Sequence, residues 1–145
     1  MAWQLFHQYL LGVEQGSPVD FENDTIKIML IDSTRAPVQA TDADMATIDD
    51  NEVSGDGYSA GGETISNAAA TLDTGTIKVD CDDVTWSQGA TGFTDARYAI
   101  LYKYTGTPSG EIPIASNDFG ADKGNDTGDL TLEMDANGIF QKTES

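Results

Sequence analysis

The segment Thr25-Ile-Lys-Ile-Met-Leu-Ile31 begins with alternating polar and apolar residues and ends in a continuous apolar run. Alternation predicts a β-strand, because successive side chains of a strand point to opposite faces of the sheet. The apolar run is typical of a central strand that is covered on both faces. We therefore expect this strand to lie inside a sheet, with the remaining elements packed around it.

Further strands are predicted along the rest of the chain. Residues 96–104 are rich in aromatic and aliphatic side chains, as buried strands are, and residues 76–81 and 129–135 alternate. Pro113 demotes the short strand 112–116 towards a sheet edge, and residues 118–128 are polar and loop-like. The count of about eight short strands predicts a mainly β fold, an antiparallel β-sandwich or barrel.

Two helices are also predicted. Thr41 stands three residues before Asp44, an arrangement similar to a capping box, and predicts a short helix over 41–48. At the N-terminus, Trp3, Phe6 and Leu10 fall at i, i+3 and i+7, which predicts a helix over residues 2–12. We divide the chain into an N-terminal helix or arm, residues 1–16, and a single β domain, residues 17–145.

The apolar stripe of the N-terminal helix is wide for a short isolated helix, so it should pack against another surface. Packing on the chain's own sheet is the interpretation that we favour. Docking on a partner subunit is the alternative, and its candidate contact residues are Trp3, Phe6 and Leu10.

Charge excludes several functions. The chain has 7 Lys and Arg against 25 Asp and Glu, a formal net charge of −18. Such a surface repels phosphate and anionic lipid headgroups, so we expect neither nucleic acid nor membrane as a partner. No segment approaches the roughly 20 apolar residues of a membrane helix, and the first residues lack the basic stretch of a secretory signal. We expect synthesis in the cytoplasm.

The sequence offers little for catalysis. Nucleophilic catalysis needs a histidine base and zinc usually needs three or four N or S ligands, but the chain has one histidine, His7, and one cysteine, Cys81. Neighbouring Asp80 and Asp82 disfavour a thiolate at Cys81. The many acids form chance pairs, and no pair stands out for glycoside hydrolysis. We predict that the chain is not an enzyme and has no cofactor.

Two small-ligand sites are considered. Residues 122–129 place four carboxylate or amide side chains in one Gly-rich segment, and hard cations such as calcium bind in loops of this kind. The spacing departs from an EF-hand, so ordinary polar turns are the alternative. The weak candidate ligands are Asp122, Asn125, Asp126 and Asp129. A set of aromatic residues is consistent either with a sugar-binding platform or with core or interface packing; it comprises Trp86, Tyr98, Tyr102 and Tyr104.

Several segments, taken in order, cover most of the chain after residue 20. They are Asp24-Thr-Ile-Lys-Ile-Met-Leu30, Asn51-Glu-Val-Ser-Gly-Asp-Gly-Tyr-Ser-Ala-Gly-Gly62, Asp82-Asp-Val-Thr-Trp86, Ala96-Arg-Tyr-Ala-Ile-Leu-Tyr102, Asp118-Phe-Gly120 and Asp135-Ala-Asn-Gly-Ile139. The ordered set resembles a family of small structural proteins of tailed phages and prophages. Cys81 and Met134 depart from the pattern, and neither departure bears on function. The resemblance implies a virion component on the head, without catalytic residues.

These observations together predict a capsid decoration or cement protein bound to the major capsid protein on the outer surface of the virion. Packaged DNA is densely negative, so an acidic chain is tolerated outside the shell and repelled inside it. A homo-oligomer, trimer or dimer, is expected because cyclic symmetry matches local capsid axes. The alternatives are a tail or fibre component that binds cell-surface glycan, and a calcium-stabilised β module.

Overall fold

The computed structural model describes residues 2–16 and 19–143. Within these ranges, 36% of the chain is strand and 10% is helix. The elements in chain order are β1 (Gln4–Leu5), α1 (His7–Glu14), β2 (Ile26–Ile31), β3 (Glu63–Thr64), β4 (Ala69–Asp73), β5 (Thr76–Asp80), β6 (Val84–Trp86), β7 (Ala96–Lys103), β8 (Ile112–Lys123), β9 (Leu130–Leu132) and β10 (Phe140–Thr143), with 3₁₀ helices at Asp49–Asn51 and Pro108–Gly110. The predicted mainly β class with antiparallel sheets and one short N-terminal helix is confirmed.

The largest sheet has five strands in the order β1-β8-β7-β2-β3, and all its pairs are antiparallel. Strand β2 pairs along its full length with β7, from Ile26 opposite Lys103 to Ile31 opposite Tyr98. Five of the six residues of β2 are buried. The prediction of a central strand covered on both faces is therefore confirmed.

Two core clusters cover the two faces of this sheet. On one face, Ile28 and Leu30 pack in the larger cluster against residues of a three-stranded sheet, β10-β5-β4, and a two-stranded sheet, β6-β9. On the other face, Met29 and Ile31 pack in a smaller cluster with Met45, Ile48 and Phe6. The arrangement is that of a sandwich in which one layer is divided into two small sheets.

The helix predicted over residues 41–48 is wrong. This segment forms turns that end in the 3₁₀ helix Asp49–Asn51. Other acceptors take backbone donors that a helix would use: Asp44 accepts from the Ala46 N–H (3.0 Å), and the Met45 N–H donates to the carbonyls of Pro108 and Glu111 (3.2 Å each). Short acidic side chains favour such local turns over helix, which accounts for the difference.

The strand predicted over 112–116 is longer than expected, and the loop predicted from residue 118 begins only after Lys123. Strand β8 continues because Asp118 and Lys123 pair with Tyr98 and Ala96 of β7. It is also an interior strand at Ala115 and Ser116, where β1 pairs with it. Pro113 lies beyond the two residues of β1, so its missing N–H breaks no bond of that pairing.

The N-terminal helix begins later than predicted. Gln4 and Leu5 pair with Ser116 and Ala115 as strand β1, and the Phe6 N–H donates to the Ile114 carbonyl at 3.0 Å. Pairing with β8 therefore overrides the helical spacing of residues 2–6, and α1 runs over His7–Glu14. No helix in the described ranges is long and apolar enough to cross a membrane. The boundary at residues 16 and 17 stays a prediction, because Ser17 and Pro18 lie outside the described residues.

Candidate contact surface

The structure separates the three N-terminal residues proposed as partner contacts. Phe6 is completely buried in the smaller core cluster, so the prediction that it contacts a partner is corrected. Trp3 is half-buried against the larger cluster. Leu10 is 37% exposed, and the next residue, Leu11, is also exposed. Helix α1 thus packs on its own sheet through one side and presents leucine side chains to the exterior on another.

A groove of about 170 Å³ lies between α1 and the three-stranded sheet. Tyr9 and Val13 line it from one side of the helix, since residues four apart share a helix face. The sheet contributes the side chains of Ile77, Val79 and Phe140. The groove can therefore accept an apolar side chain.

One cation stands beside this apolar lining. The Nζ atom of Lys142 lies 5.2 Å from the centroid of the Tyr9 ring and 5.9 Å from that of Phe140. The two rings meet edge to face, with centroids 6.0 Å apart. Burial raises the pKa of Tyr9, so its phenol stays protonated and uncharged. The groove is apolar, with a positive charge held above its aromatic rings.

Next to the groove, β4 and β5 form a two-residue hairpin (residues 69–80). Its turn residues Thr74 and Gly75 both have positive φ, 47° and 79°, as type I′ turns require. Leu72 and Ile77 lie opposite each other across the hairpin and are both exposed; Leu72 is 73% exposed. The exposed faces of α1 and of this hairpin, with the groove between them, are called the contact surface below.

Most basic side chains are held by groups of the same chain. Four form ion pairs: Arg35–Asp42, Lys78–Asp80, Arg97–Asp118 and Lys103–Asp24. Two more, Lys27 and Lys142, lie over aromatic rings. Because the chain has 25 acids, the exterior is dominated by carboxylates.

The contact surface is the exception to this acidity. The first acid of the chain is Glu14, at the end of α1. The hairpin, residues 69–80, contains Asp73 and the ion pair Lys78–Asp80. Apolar side chains are therefore exposed on a weakly charged part of the molecule, a combination typical of interaction sites.

The segment considered for calcium has a structural role at Asn125. This residue is completely buried. Its Nδ2 donates to the carbonyls of Asp56 and Ser87, each at 2.8 Å, and its Oδ1 accepts from the Phe93 N–H at 2.8 Å. All these side-chain atoms are satisfied by backbone groups of two other loops. The side chain that was proposed as a ligand instead ties three loops together.

The remaining candidate ligands do not form a site. Asp129 Oδ1 accepts from the Gln88 N–H at 2.8 Å, and Asp122 lies exposed near the end of β8. Among the described residues, no three or more acids, histidines or cysteines are grouped so that they could hold a metal ion. The described structure therefore does not bring the weak candidates Asp122, Asn125, Asp126 and Asp129 together as a set of ligands.

Two carboxylates, the half-buried Glu52 and the buried Glu111, also hold loops. Glu52 Oε1 accepts from the Tyr58 hydroxyl (2.7 Å) and the Gly61 N–H (2.6 Å), and the Tyr58 oxygen accepts from the Leu30 N–H. Burial raises the pKa of Glu52, and these hydrogen bonds oppose the rise. Glu111 accepts from two loop N–H groups in the same way. Each carboxylate has its partners within the chain, as a structural role requires.

Cys81 and two of the candidate aromatic residues are buried in the core. Burial, followed by the neighbouring carboxylates, raises the pKa of the Cys81 thiol to about 12, which keeps it protonated. Trp86 lies in the larger cluster and Tyr102 in the smaller one, both completely buried, while Tyr104 is exposed. Tyr98 packs against the same smaller cluster, and Tyr104 meets Tyr102 edge to face with ring centroids 6.4 Å apart. The buried rings of Trp86 and Tyr102 cannot stack on a sugar, and the alternative of core packing is confirmed for these two residues.

No family model, curated protein or solved structure matches this chain. What the chain binds is therefore inferred from its own surface. The hairpin and its exposed Leu72 and Ile77 were not among the candidate residues from sequence. The signal for them was present: Asp73-Thr-Gly-Thr76 joins two runs in which these side chains share one face.

Proposed function

We propose that this chain is a non-enzymatic virion structural protein that decorates or cements the outside of a tailed-phage capsid by binding the major capsid protein. The observation that supports the proposal best is the contact surface, where exposed apolar side chains occupy a weakly charged part of an otherwise acidic molecule. The ordered sequence resemblance points to the same class. The proposed location is the outer capsid surface, after synthesis in the host cytoplasm.

The proposed mechanism is burial of apolar area. Each Å² of apolar surface removed from water contributes about 25 cal/mol, and a stable interface buries about 800 Å² on each partner. A subunit bound across a joint makes separation of the joint unfavourable, because separation would return this area to water. The process needs no bond making or breaking, in keeping with the buried, protonated Cys81 thiol.

The carboxylates around the contact surface favour a partner whose surface carries positive charge. Carboxylates dominate the exterior around the contact surface, so a capsid face that carries lysine or arginine next to apolar side chains is complementary to it. The same acidity repels packaged DNA and disfavours a position inside the shell. Leu10 on α1 is the side chain proposed to enter the interface, with the groove beside Tyr9 receiving an apolar side chain of the capsid protein.

The test is binding of the purified chain to particles that lack it. We expect hundreds of copies per particle, on the order of one per capsid subunit. Leu10→Glu should weaken binding at least about tenfold, because it places a charge in an apolar interface. Val38→Glu is the matched control, since Val38 is 43% exposed and lies outside the contact surface. A handful of copies per particle, or equal binding by the two variants, would contradict the proposal.

The alternatives have less support from the geometry. A tail or fibre component that binds glycan would use an exposed aromatic platform, but Trp86 and Tyr102 are completely buried. A calcium-stabilised module would use ligands that converge, but Asn125 is occupied by backbone groups. A glycan array and melting with calcium or with chelator test these two functions directly.

A further inference from the structure

We infer that β4 is a self-association edge, which pairs antiparallel with β4 of a second copy about a twofold axis at Thr71. This inference does not depend on the capsid proposal, because it concerns the purified chain alone. It stands on three features of β4: an open backbone edge, exposed apolar side chains, and nearly neutral local charge.

The backbone edge of β4 is open. In the three-stranded sheet β4 is the outer strand, and no strand of the described residues pairs with its other side. Four of its five residues are exposed. Natural edges are usually blocked by proline, lysine or a bulge, but Ala69-Ala-Thr-Leu-Asp73 has no proline or lysine and pairs with β5 without a register shift. This edge is therefore able to accept another strand.

The turn determines which backbone groups point outwards. In a two-residue hairpin, the residues that flank the turn, here Asp73 and Thr76, exchange hydrogen bonds, and bonded and non-bonded pairs then alternate. The pairs at Leu72 and at Ala70 are therefore non-bonded within the hairpin. Their N–H and C=O groups are directed away from β5, so they are free to bond a strand on the open side.

These outward groups define a register with a second copy. An antiparallel pair centred on Thr71 brings Leu72 opposite Ala70 of the second copy, and the reverse, so that these residues exchange the four outward hydrogen bonds. Leu72 then lies between Ile77 of its own copy and Ala70 of the other, on one face of a continuous sheet. The side chain that is 73% exposed in the single chain becomes covered.

The low charge of the β4–β5 hairpin makes a second copy a suitable partner for the open edge of β4. A net charge of −18 makes most of the surface repel another copy, but the β4–β5 hairpin, residues 69–80, carries only Asp73 and the ion pair Lys78–Asp80. In the proposed register the two Asp73 side chains lie about 14 Å apart. This exceeds the Debye length of about 8 Å at physiological ionic strength, so their repulsion is largely screened. Beta-strand addition at β4 is thus compatible with an acidic chain.

The proposed symmetry suggests the experiment, because Thr71 lies on the twofold axis and is therefore opposite Thr71 of the second copy. Thr71→Asp and Thr71→Lys each place like charges opposite one another, which should weaken the dimer about tenfold. An equimolar mixture of the two variants should restore association, as a heterodimer of opposite charges. Sedimentation equilibrium of the wild type, each variant and the mixture, over a range of concentrations, measures the dissociation constants.

The controls separate this edge from general charge effects. Thr85→Asp and Thr85→Lys make the same changes at Thr85, the exposed residue of β6, and should leave the dissociation constant unchanged. Leu72→Ser should weaken the dimer without lowering the melting temperature of the monomer, because Leu72 is exposed there. A monomeric wild type at all concentrations would overturn the inference, and so would a dimer that neither Thr71 substitution weakens. Capsid binding is measured separately, so either proposal can fail alone.

Discussion

Strands β2 and β4 differ in length by one residue but occupy opposite environments. Five of the six residues of β2 are buried, and both of its neighbouring positions in the sheet are filled. Four of the five residues of β4 are exposed, and only β5 pairs with it among the described strands. Apolar side chains on β2 therefore stabilise the fold, whereas Leu72 on β4 contributes little to folding and is available for association.

The difference between β2 and β4 is tested most directly by making the same substitution in both strands. Leu30→Ala on β2 removes a completely buried side chain and should lower the free energy of unfolding by about 2–5 kcal/mol. Leu72→Ala on β4 should change it by less than about 0.5 kcal/mol, because the side chain is exposed. Chemical denaturation at low protein concentration measures both. Similar losses in the two variants would contradict the division between a stabilising strand and an associating one.

The loop junction at Asn125 extends the comparison to a buried polar group. Asn125→Ala leaves two carbonyls and one N–H without their partner, and should lower the free energy of unfolding by about 3 kcal/mol. Gln141→Ala, which removes an amide from an exposed position on β10, serves as the control and should have little effect. Denaturation of the two variants by urea provides the measurement. A small effect at Asn125 would mean that the three loops do not depend on this side chain.

A smaller effect is expected from pH at the half-buried Glu52. Burial raises its folded-state pKa above the ordinary value of 4.5, so the folded chain binds this proton more tightly than the unfolded chain. The associated stability is present below pH 4.5 and is lost as pH rises through the folded pKa. Glu52→Gln retains an oxygen that accepts from Tyr58 and should remove this part of the pH dependence.

Denaturation at a series of pH values from 4 upwards tests the Glu52 prediction. Wild type should lose stability relative to Glu52→Gln as pH rises, whereas Glu133→Gln, at an exposed glutamate, should follow wild type. A difference between wild type and Glu52→Gln that does not vary with pH would show that the carboxyl has no raised pKa.

Much of the sheet could be predicted from sequence because period-two patterns report burial directly. The segment that became β2 has both alternation and a continuous apolar run, and its central position followed from them. The errors occur where a tertiary contact overrides a local pattern. Residues 2–6 have helical spacing, but β1 is fixed by β8, a partner more than 100 residues away in sequence. Such a partner leaves no mark on the local pattern.

The contact surface and the Asn125 junction were only partly accessible to sequence reasoning. Trp3, Phe6 and Leu10 share a helical spacing, but exposure depends on which side meets the sheet, and this placed Phe6 inside. Asn125 was considered as a ligand because its burial depends on three loops that converge in space. The loops meet closely at two glycines, since a Cβ on Gly57 or Gly92 would lie 2.5 Å from the Asn125 side chain. Spacing alone does not reveal that these loops meet.

The junction at Asn125 also has a consequence for folding kinetics. Its hydrogen bonds join residues that are 32, 38 and 69 positions apart in sequence. We expect bonds of such range to close after the strands that position the loops have formed, and contacts that form late act on the rate of unfolding more than on the rate of folding. The Asn125 side chain should therefore lengthen the lifetime of the native chain more than it speeds folding.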